Sequence, residues 1–296
     1  MRLCAARQHG KSFVGLGWKD RWLNLSQAVQ AYPDRFPWLD SRPVLWIEEI
    51  LWHVRDLPGT LAAFWQDLEQ AGTLRSYQVE EPLDLLPPIT RPTKILALGR
   101  NYQAHADETG FSPPDEPLFF AKAPSSIIGP GADIVYPAVV ERLDPEIELG
   151  VVIGTRAKDV PEGMAKDYVA GYTIVNDVTA RAMQFRDIEE RKPWFRSKSF
   201  DTFTPLGPYL VLKDEIPDPH DLSITLRVNG QVRQDALTAH CIFTVPQIVH
   251  YLSTFMTLEP GDLIATGTPG GIAPIERGDL VECTITGLGT LANLVV

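Results

Sequence analysis

The chain has 296 residues, of which 44% are hydrophobic and 22% are charged, and these ordinary globular values exclude a disordered or fibrous chain. Its formal net charge of −11 disfavours a nucleic acid partner, because binding to phosphate backbones rests on clustered lysine and arginine. The length allows one large domain with a smaller addition.

The cysteines and the apolar runs of the sequence indicate a compartment. Cys4, Cys241 and Cys283 are widely separated and odd in number, which fits neither a disulfide framework nor a CxxC metal site. The basic start MRLCAARQHGKSF is not followed by the apolar segment of a secretory signal. No apolar run approaches the length of a membrane span. We therefore expect a cytoplasmic protein without a membrane partner.

The N-terminal part, residues 1–85, is predicted to form a small mixed domain. In GTLAAFWQDLEQAG the apolar side chains fall on one face, as an amphipathic helix requires. These side chains are Leu61, Phe64, Trp65 and Leu68. Prolines then concentrate in EPLDLLPPITRPTK, and proline removes a backbone donor and disfavours helix in the residue before it. We place the domain boundary there, among Pro82, Pro87, Pro88 and Pro92.

The second part, residues 86–296, is predicted to be mostly β. Short segments rich in apolar and β-branched residues are punctuated by glycine or proline. These segments are KILALG, ADIVYP, EIELGVVIG, YVAGYTIVN, GPYLVL, LSITLRV and DLVECTI. The pair Asn229-Gly230 tolerates the positive φ angles of a type I′ turn, which predicts a hairpin.

One helix is predicted among these strands. Thr244 caps it, and Pro246 lies in its first turn. Its apolar stripe consists of Ile248, Val249, Leu252, Phe255 and Met256.

Two glutamates alternate with apolar residues in DPEIELGVVIG. Because successive side chains of a strand point to opposite faces, Glu146 and Glu148 share one face, about 6.6 Å apart at Cα. The solvated face of an edge strand shows the same alternation. A second strand, AGYTIVNDVTA, carries Asp177 at its polar end. Three hard oxygen ligands without a Cys or His cluster suit Mg²⁺ or Mn²⁺ better than zinc, so these carboxylates are candidate metal ligands.

The segment NYQAHADETG contains a candidate general base. His105 and Glu108 are three residues apart, which makes them neighbours on a short helix ended by Gly110. A glutamate beside an imidazole fixes its tautomer and raises its basicity, as the activation of water requires. The alternative is an ordinary pair of surface residues.

A glycine-rich loop, ATGTPGGI, contains a candidate anion site. The hydroxyl of Thr268 and the neighbouring amides form a candidate nest for a substrate carboxylate. The loop lacks the GK[ST] ending of a phosphate loop, so nucleotide binding is not expected.

The order and spacing of these motifs resemble the fumarylacetoacetate hydrolase superfamily over about residues 82 to 296. The segments that carry the resemblance are KILALGRNYQAHADETG, PLFFAKAPSSIIGPG, DPEIELGVVIG, GYTIVNDVTARAMQ, KSFDTFTPLGP and GDLIATGTPGGI. The resemblance implies an α+β, mostly β fold, which is a mixed β-sandwich roll with a small N-terminal α/β domain, usually in a homodimer. It also implies that Glu146, Glu148 and Asp177 hold Mg²⁺ or Mn²⁺.

The resemblance assigns roles to residues that follow Asp177. Arg181 and Gln184 lie four and seven residues after it, on one helical face if a helix forms there. They match positions that line the substrate pocket, so Arg181 is a candidate to clamp a substrate carboxylate, and Gln184 is a candidate hydrogen-bond donor. Lys198, in RSKSFDTF, matches a lysine that reaches the substrate oxygens, where an ammonium stabilises enolate charge.

The implied chemistry starts from a 2-oxo acid whose C3 electron density is held as a metal-bound enolate. His105 and Glu108 match a lid pair of the hydrolases and decarboxylases in this family. We therefore expect hydrolysis of a carbon–carbon bond in a β-diketo acid, an acylpyruvate or a fumarylacetoacetate-like compound, in a pathway that degrades aromatic compounds. A decarboxylase of oxaloacetate-type acids and a 2-hydroxyhepta-2,4-diene-1,7-dioate isomerase are alternatives, because both reactions pass through the same enolate. A metal-binding protein without catalysis is a further alternative.

Overall fold

The computed structural model describes residues 1–39, 42–80 and 83–296. Within them the strands are β1 (Arg2–Gln8), β2 (Lys11–Trp18), β3 (Arg21–Asn24), β4 (Gln78–Val79), β5 (Asp84–Leu86), β6 (Ile95–Gly99), β7 (Leu118–Lys122), β8 (Ile127–Ile128), β9 (Leu143–Asp144), β10 (Ile147–Ile153), β11 (Val169–Asn176), β12 (Thr179–Ala180), β13 (Thr204–Leu212), β14 (Ser223–Val228), β15 (Gln231–Leu237), β16 (Leu263–Ala265), β17 (Leu280–Ile285) and β18 (Gly289–Leu294). The helices are α1 (Leu25–Ala31), α2 (Ile47–His53), α3 (Leu57–Gln70), α4 (Gln103–Glu108), α5 (Arg181–Glu189), α6 (Phe195–Lys198) and α7 (Val245–Phe255).

The strands form one large sheet and two smaller ones. The order in the large sheet is β4-β3-β2-β1-β13-β11-β10-β16-β6-β7, with β5 paired to β1 and β8 paired to β13. The four-stranded sheet has the order β15-β14-β17-β18, and β12 pairs with β9. Most pairs are antiparallel, whereas β16–β6 and β13–β8 are parallel. The predicted α+β, mostly β class is therefore confirmed, and the described strands form no closed barrel.

The N-terminal part packs as the sequence predicts. Helix α3 begins after Asp56, whose side chain accepts a hydrogen bond from the Gly59 amide. Its apolar face is buried through Leu61, Phe64, Trp65 and Leu68. Strand β1 pairs with β13, and one hydrophobic cluster includes side chains from both sides of residue 85. Pro82 lies outside the described residues, and the division at residues 85 and 86 stays a prediction.

Two local predictions in the second part are confirmed by the structure. Strands β14 and β15 form a hairpin, and Asn229 and Gly230 at its turn have φ angles of 50° and 77°, as a type I′ turn requires. Thr244 caps α7 in a reciprocal capping box with Gln247. The predicted stripe is wrong at Phe255, which is 60% exposed, because its ring packs beside Tyr251 at the surface instead of in the core.

One predicted strand is wrong. ADIVYP forms only an isolated bridge between Ile134 and Val295, because its last residue, Pro137, has no amide to extend a ladder. The other predicted segments correspond to β6, β10, β11, β13, β14 and β17. None of the described helices is both long and apolar enough to cross a membrane.

Candidate active site and metal centre

Two neighbouring strands of the large sheet bring the three predicted carboxylates together. Glu146 directly precedes β10, Glu148 is its second residue, and Asp177 directly follows β11. The amide of Asp177 donates to the carbonyl of Glu146 at 2.8 Å, which fixes the two strand ends against each other. One carboxylate oxygen from each of the three residues lies within 4.8 Å of the others. The arrangement fits a single cation bound by oxygen ligands.

The solvated edge strand that the alternation also allowed is not what the structure contains. Strand β10 is paired on both sides, with β11 and with β16, so it is a central strand. The side chains of Glu146 and Glu148 are 3% and 1% exposed. Buried carboxylates need cations or hydrogen-bond donors around them.

Lys198 provides one of these cations from the end of α6. Its Nζ donates to Glu146 Oε2 at 2.7 Å and to Asp177 Oδ2 at 2.5 Å. Burial alone would lower the pKa of Lys198, but the charges of Asp177 and Glu146 outweigh it and raise the pKa. The lysine is therefore held as an ammonium among the carboxylates.

Lys122 is a second buried ammonium that the sequence analysis missed. It lies on β7, its side chain is fully buried, and its Nζ donates to Asp177 Oδ1 at 2.5 Å and to the Phe203 carbonyl at 3.0 Å. Burial lowers its pKa, partly countered by Asp177. The position of this lysine at the end of the apolar run PLFFAK could have indicated that its side chain is buried.

We expect Lys122→Met to lower the free energy of unfolding by about 3 kcal/mol, because removing one partner of a buried ion pair leaves an uncompensated charge. Urea unfolding in excess chelator measures the change. Lys158→Met is the control, since Lys158 is 45% exposed and pairs at the surface. Equal unfolding free energies for the two variants would contradict the structural role of Lys122.

Arg181 begins α5, but its guanidinium is already bound by the protein. Its Nε donates to Asp144 Oδ2 at 2.8 Å, its Nη1 donates to Gln184 Oε1 at 2.5 Å, and its Nη2 pairs with Glu146. Gln184 lies on the same helical turn, as the spacing predicts. These contacts hold Glu146 and Gln184 in place. The predicted clamp of Arg181 on a substrate carboxylate stays a prediction.

Glu148 is the carboxylate of this cluster that forms no ion pair with a described residue. Asp144, Glu146 and Asp177 each form at least one ion pair, whereas Glu148 accepts a hydrogen bond only from the Gly267 amide, at 2.7 Å. Burial, followed by the charges of Asp177 and Glu146, raises its pKa well above the usual value. An uncompensated buried carboxylate beside two others fits a divalent cation at this position.

The predicted lid pair lies on α4. His105 is buried, and its Nδ1 lies 3.8 Å from Glu108 Oε2, beyond hydrogen-bond distance. Nδ1 has no hydrogen-bond partner among the described residues. Glu108 instead accepts hydrogen bonds from the amides of Gly271 and Ile272, at 3.0 and 3.4 Å. Burial alone would raise the pKa of Glu108, but His105 and these two amides outweigh it and lower the pKa.

The amides of the glycine-rich loop bind two carboxylates of the protein itself, those of Glu148 and Glu108. Thr268 donates its hydroxyl to the Ile147 carbonyl at 2.9 Å and accepts from Gln234 Nε2 at 2.8 Å. Gln234 Oε1 also accepts from the Ile147 amide at 3.0 Å, which ties the loop to β10. Gln234 was missed because a polar residue in a hairpin strand is not distinctive. The predicted contact of Thr268 with substrate stays a prediction.

These residues surround one small pocket of about 30 Å³, with room for only a few water-sized spheres. The predicted site residues that line it are His105, Glu146, Glu148, Arg181, Gln184, Lys198 and Thr268. Asp177 is fully buried and does not line this pocket, and Glu108 is exposed and faces a separate surface pocket beside Gly270 and Gly271. Pockets that enclose organic ligands are about 300 Å³ or more, so a substrate enters only when part of the wall moves.

Known proteins are similar to this chain in architecture and in sequence. Residues 94–296 match the family described as "Fumarylacetoacetate (FAA) hydrolase C-terminal". The mitochondrial oxaloacetate tautomerase FAHD2A of Homo sapiens is 39% identical over 255 residues, which cover 81% of each chain. A structure of maleylpyruvate hydrolase from Sphingobium sp. SYK-6, in complex with manganese(II) ion and pyruvate, is 30% identical with a TM-score of 0.77, and the match covers 100% of this chain and 99% of that one.

An isomerase has a similar structure. The 2-hydroxyhepta-2,4-diene-1,7-dioate isomerase of Mycobacterium marinum is 35% identical with a TM-score of 0.72, and the match covers 100% of this chain and 98% of that one. The similar proteins are thus enzymes that act on small organic acids, and one of the structures contains a divalent metal ion. With the family match over residues 94–296, this chain belongs to the fumarylacetoacetate hydrolase family.

Proposed function

We propose that the protein is a Mg²⁺- or Mn²⁺-dependent hydrolase that cleaves a carbon–carbon bond in a β-diketo acid, an acylpyruvate or a fumarylacetoacetate-like compound. The observation that carries the proposal is the position of His105. Its imidazole lines the same pocket as Glu146, Glu148 and Lys198, and its Nδ1 has no partner among the described residues. Hydrolysis needs a base that activates water, whereas a proton transfer on the 2-oxo acid does not need activated water.

His105 is the group that activates water. It takes a proton from a water molecule as the water oxygen bonds to the distal carbonyl carbon of the substrate. The bond between that carbon and C3 then breaks, and its electron pair passes into the enolate of a 2-oxo acid. The distal fragment leaves as a carboxylic acid, and C3 of the enolate takes up a proton. Glu108, anchored by Gly271 and Ile272, lies 3.8 Å from Nδ1 and orients the imidazole once the lid helix moves close enough for a hydrogen bond.

Lys198 stabilises the negative charge that develops on the C2 oxygen of the 2-oxo acid. Its ammonium lies between Glu146 and Asp177, so it is oriented before the substrate arrives. Glu146, Glu148 and Asp177 would hold a divalent cation, which would supply Lewis-acid stabilisation when bound. Arg181 keeps Glu146 and Gln184 in position for this task.

A proton transfer on a 2-oxo acid is the second candidate function. The observation that favours it is the 39% identity to an oxaloacetate tautomerase over 81% of each chain. Such a reaction uses the same carboxylates and Lys198 but does not consume water. Decarboxylation of an oxaloacetate-type acid would pass through the same enolate.

A coupled assay of the purified protein distinguishes these functions. With Mn²⁺ or Mg²⁺ present we expect turnover of acylpyruvates to pyruvate plus a carboxylic acid, with a kcat of about 1 s⁻¹ or more, and loss of turnover in excess chelator. Oxaloacetate and a 2-hydroxy-dienedioate are assayed in parallel for tautomerisation, loss of CO₂ and isomerisation. Turnover of oxaloacetate or the dienedioate with none of any acylpyruvate would overturn the hydrolase proposal in favour of the second candidate.

The setting of the enzyme is part of the same proposal. A homodimer that serves the degradation of aromatic compounds fits the family resemblance, and the cysteines are the basis for proposing a cytoplasmic location. The three cysteines are free, and Cys4 and Cys283 are buried, in keeping with a reducing compartment. Light scattering of the purified protein tests the dimer.

A further inference from the structure

Arg100 is a charged pocket residue for which the proposed chemistry has no use. It directly follows β6, lines the same pocket as Glu146 and Lys198, and is half-buried. It forms no ion pair with any described residue, although carboxylates lie in the same pocket wall. Burial without a neighbouring acid lowers its pKa. A half-buried guanidinium without an anion has N–H donors available for one.

Two aromatic rings hold this guanidinium in place. Its Cζ lies 3.5 Å from the centroid of Phe111 and 5.8 Å from that of Trp194. Stacking on rings orients an arginine while leaving its in-plane N–H donors free for a carboxylate. Gly99 allows the indole to come this close, since a Cβ there would meet Trp194 Cζ3 at 2.7 Å.

Aromatic side chains also connect Arg100 to the proposed reaction centre. Trp194 immediately precedes α6, and Lys198 ends the same helix. Between them the ring of Phe120 lies 5.4 Å from Trp194 and 5.1 Å from Lys198 Nζ. The pocket therefore has carboxylates and an ammonium at one part, an apolar wall, and an unpaired guanidinium beyond it. A substrate that uses all three has two anionic ends separated by carbon atoms.

We propose that Arg100 binds a carboxylate at the far end of the substrate and so selects dicarboxylic 2-oxo acids over monocarboxylic ones. The inference rests on the proposed function, in which the 2-oxo acid end lies at the carboxylate cluster. Arg100 is a specificity-determining residue in this arrangement and takes no part in breaking the bond. Phe111 follows the lid helix α4 by three residues, so the same guanidinium contacts the lid and the far end of the substrate.

Binding to the Mn²⁺-loaded enzyme tests the proposal without reference to turnover. The probes are 2-oxoadipate and 2-oxohexanoate, which have the same carbon number and differ in the far carboxylate, each titrated calorimetrically. We expect the parent protein to bind 2-oxoadipate about 10- to 100-fold more tightly, the range of a charge-assisted hydrogen bond. Arg100→Gln should lose this preference and leave the affinity for 2-oxohexanoate within about threefold.

Two further variants separate recognition from packing. Arg100→Lys keeps the charge and should retain part of the preference for 2-oxoadipate. Arg91→Gln is the matched control, because Arg91 lies over the ring of Trp46 at 4.6 Å away from the pocket, and it should bind both acids like the parent. If Arg100 acts only by packing on Phe111, its replacement will change the affinity for both acids by the same factor.

The possible failures are distinct. If the parent protein binds the two acids equally, or if Arg100→Gln weakens both by the same factor, the role of Arg100 is wrong and the proposed function stands. If Mn²⁺ binds but neither acid does, the proposed function is overturned together with the inference.

Discussion

Glu148→Gln is expected to weaken Mn²⁺ binding by at least about 100-fold, more than the loss of an outer-sphere partner usually costs. Glu148 is the carboxylate of the cluster without an ion pair to a described residue, so its charge is balanced only when a cation binds. The amide keeps the size of the side chain and an oxygen that can accept from Gly267. Calorimetric titration with Mn²⁺ at neutral pH measures the change.

The same substitution separates metal binding from folding. In excess chelator the thermal unfolding midpoint of Glu148→Gln should equal or exceed that of the parent, because the amide removes repulsion from Asp177 and Glu146. Glu141→Gln is the matched control, since Glu141 pairs with Arg186 at the surface and should bind Mn²⁺ normally. Parent-like Mn²⁺ affinity in Glu148→Gln would remove Glu148 from the metal site.

His105→Ala is expected to lower the rate of acylpyruvate cleavage by about 10²- to 10⁴-fold, the usual effect of losing a general base. Mn²⁺ affinity and inhibition by oxalate should stay close to those of the parent, because His105 forms no hydrogen bond with the metal carboxylates. Steady-state kinetics and oxalate titration measure the two properties separately.

Lys198→Ala is the comparison variant for His105→Ala. Lys198 contacts Glu146 and Asp177 directly, so its loss should weaken both cleavage and oxalate binding. Oxalate binding should therefore survive in His105→Ala and be weakened in Lys198→Ala. If His105→Ala cleaves acylpyruvates at the parent rate, the role in water activation is wrong, and a proton-transfer reaction becomes the better account of the site.

The carboxylate cluster was predictable because strand geometry is strongly periodic. Alternation placed Glu146 and Glu148 on one face, and a polar residue at the end of an apolar strand indicated Asp177. The same alternation reaches back to Asp144, two residues before Glu146, and Pro145 between them hid it. Short-range spacing also predicted the helical neighbours Arg181 and Gln184.

Contacts between distant segments were not predictable in this way. Lys122 meets Asp177 across 55 residues of sequence, and Gln234 meets Ile147 across 87, so no local pattern records either pair. The pairing of Arg181 with two acids of the protein was likewise hidden, because it depends on the register between β9 and β12. Only the sheet order brings these side chains to one place.

The glycine-rich loop contacts both the cation site and the lid helix α4. The Gly267 amide holds Glu148 of the cation site, and the amides of Gly271 and Ile272 hold Glu108 of the lid. A cation that draws Glu148 toward itself therefore acts on the loop that anchors the lid. Linkage between two equilibria is reciprocal. If cation binding stabilises the ordered lid, the ordered lid therefore strengthens cation binding by the same free energy. We therefore expect cation binding and the order of the lid helix to be thermodynamically coupled through this loop.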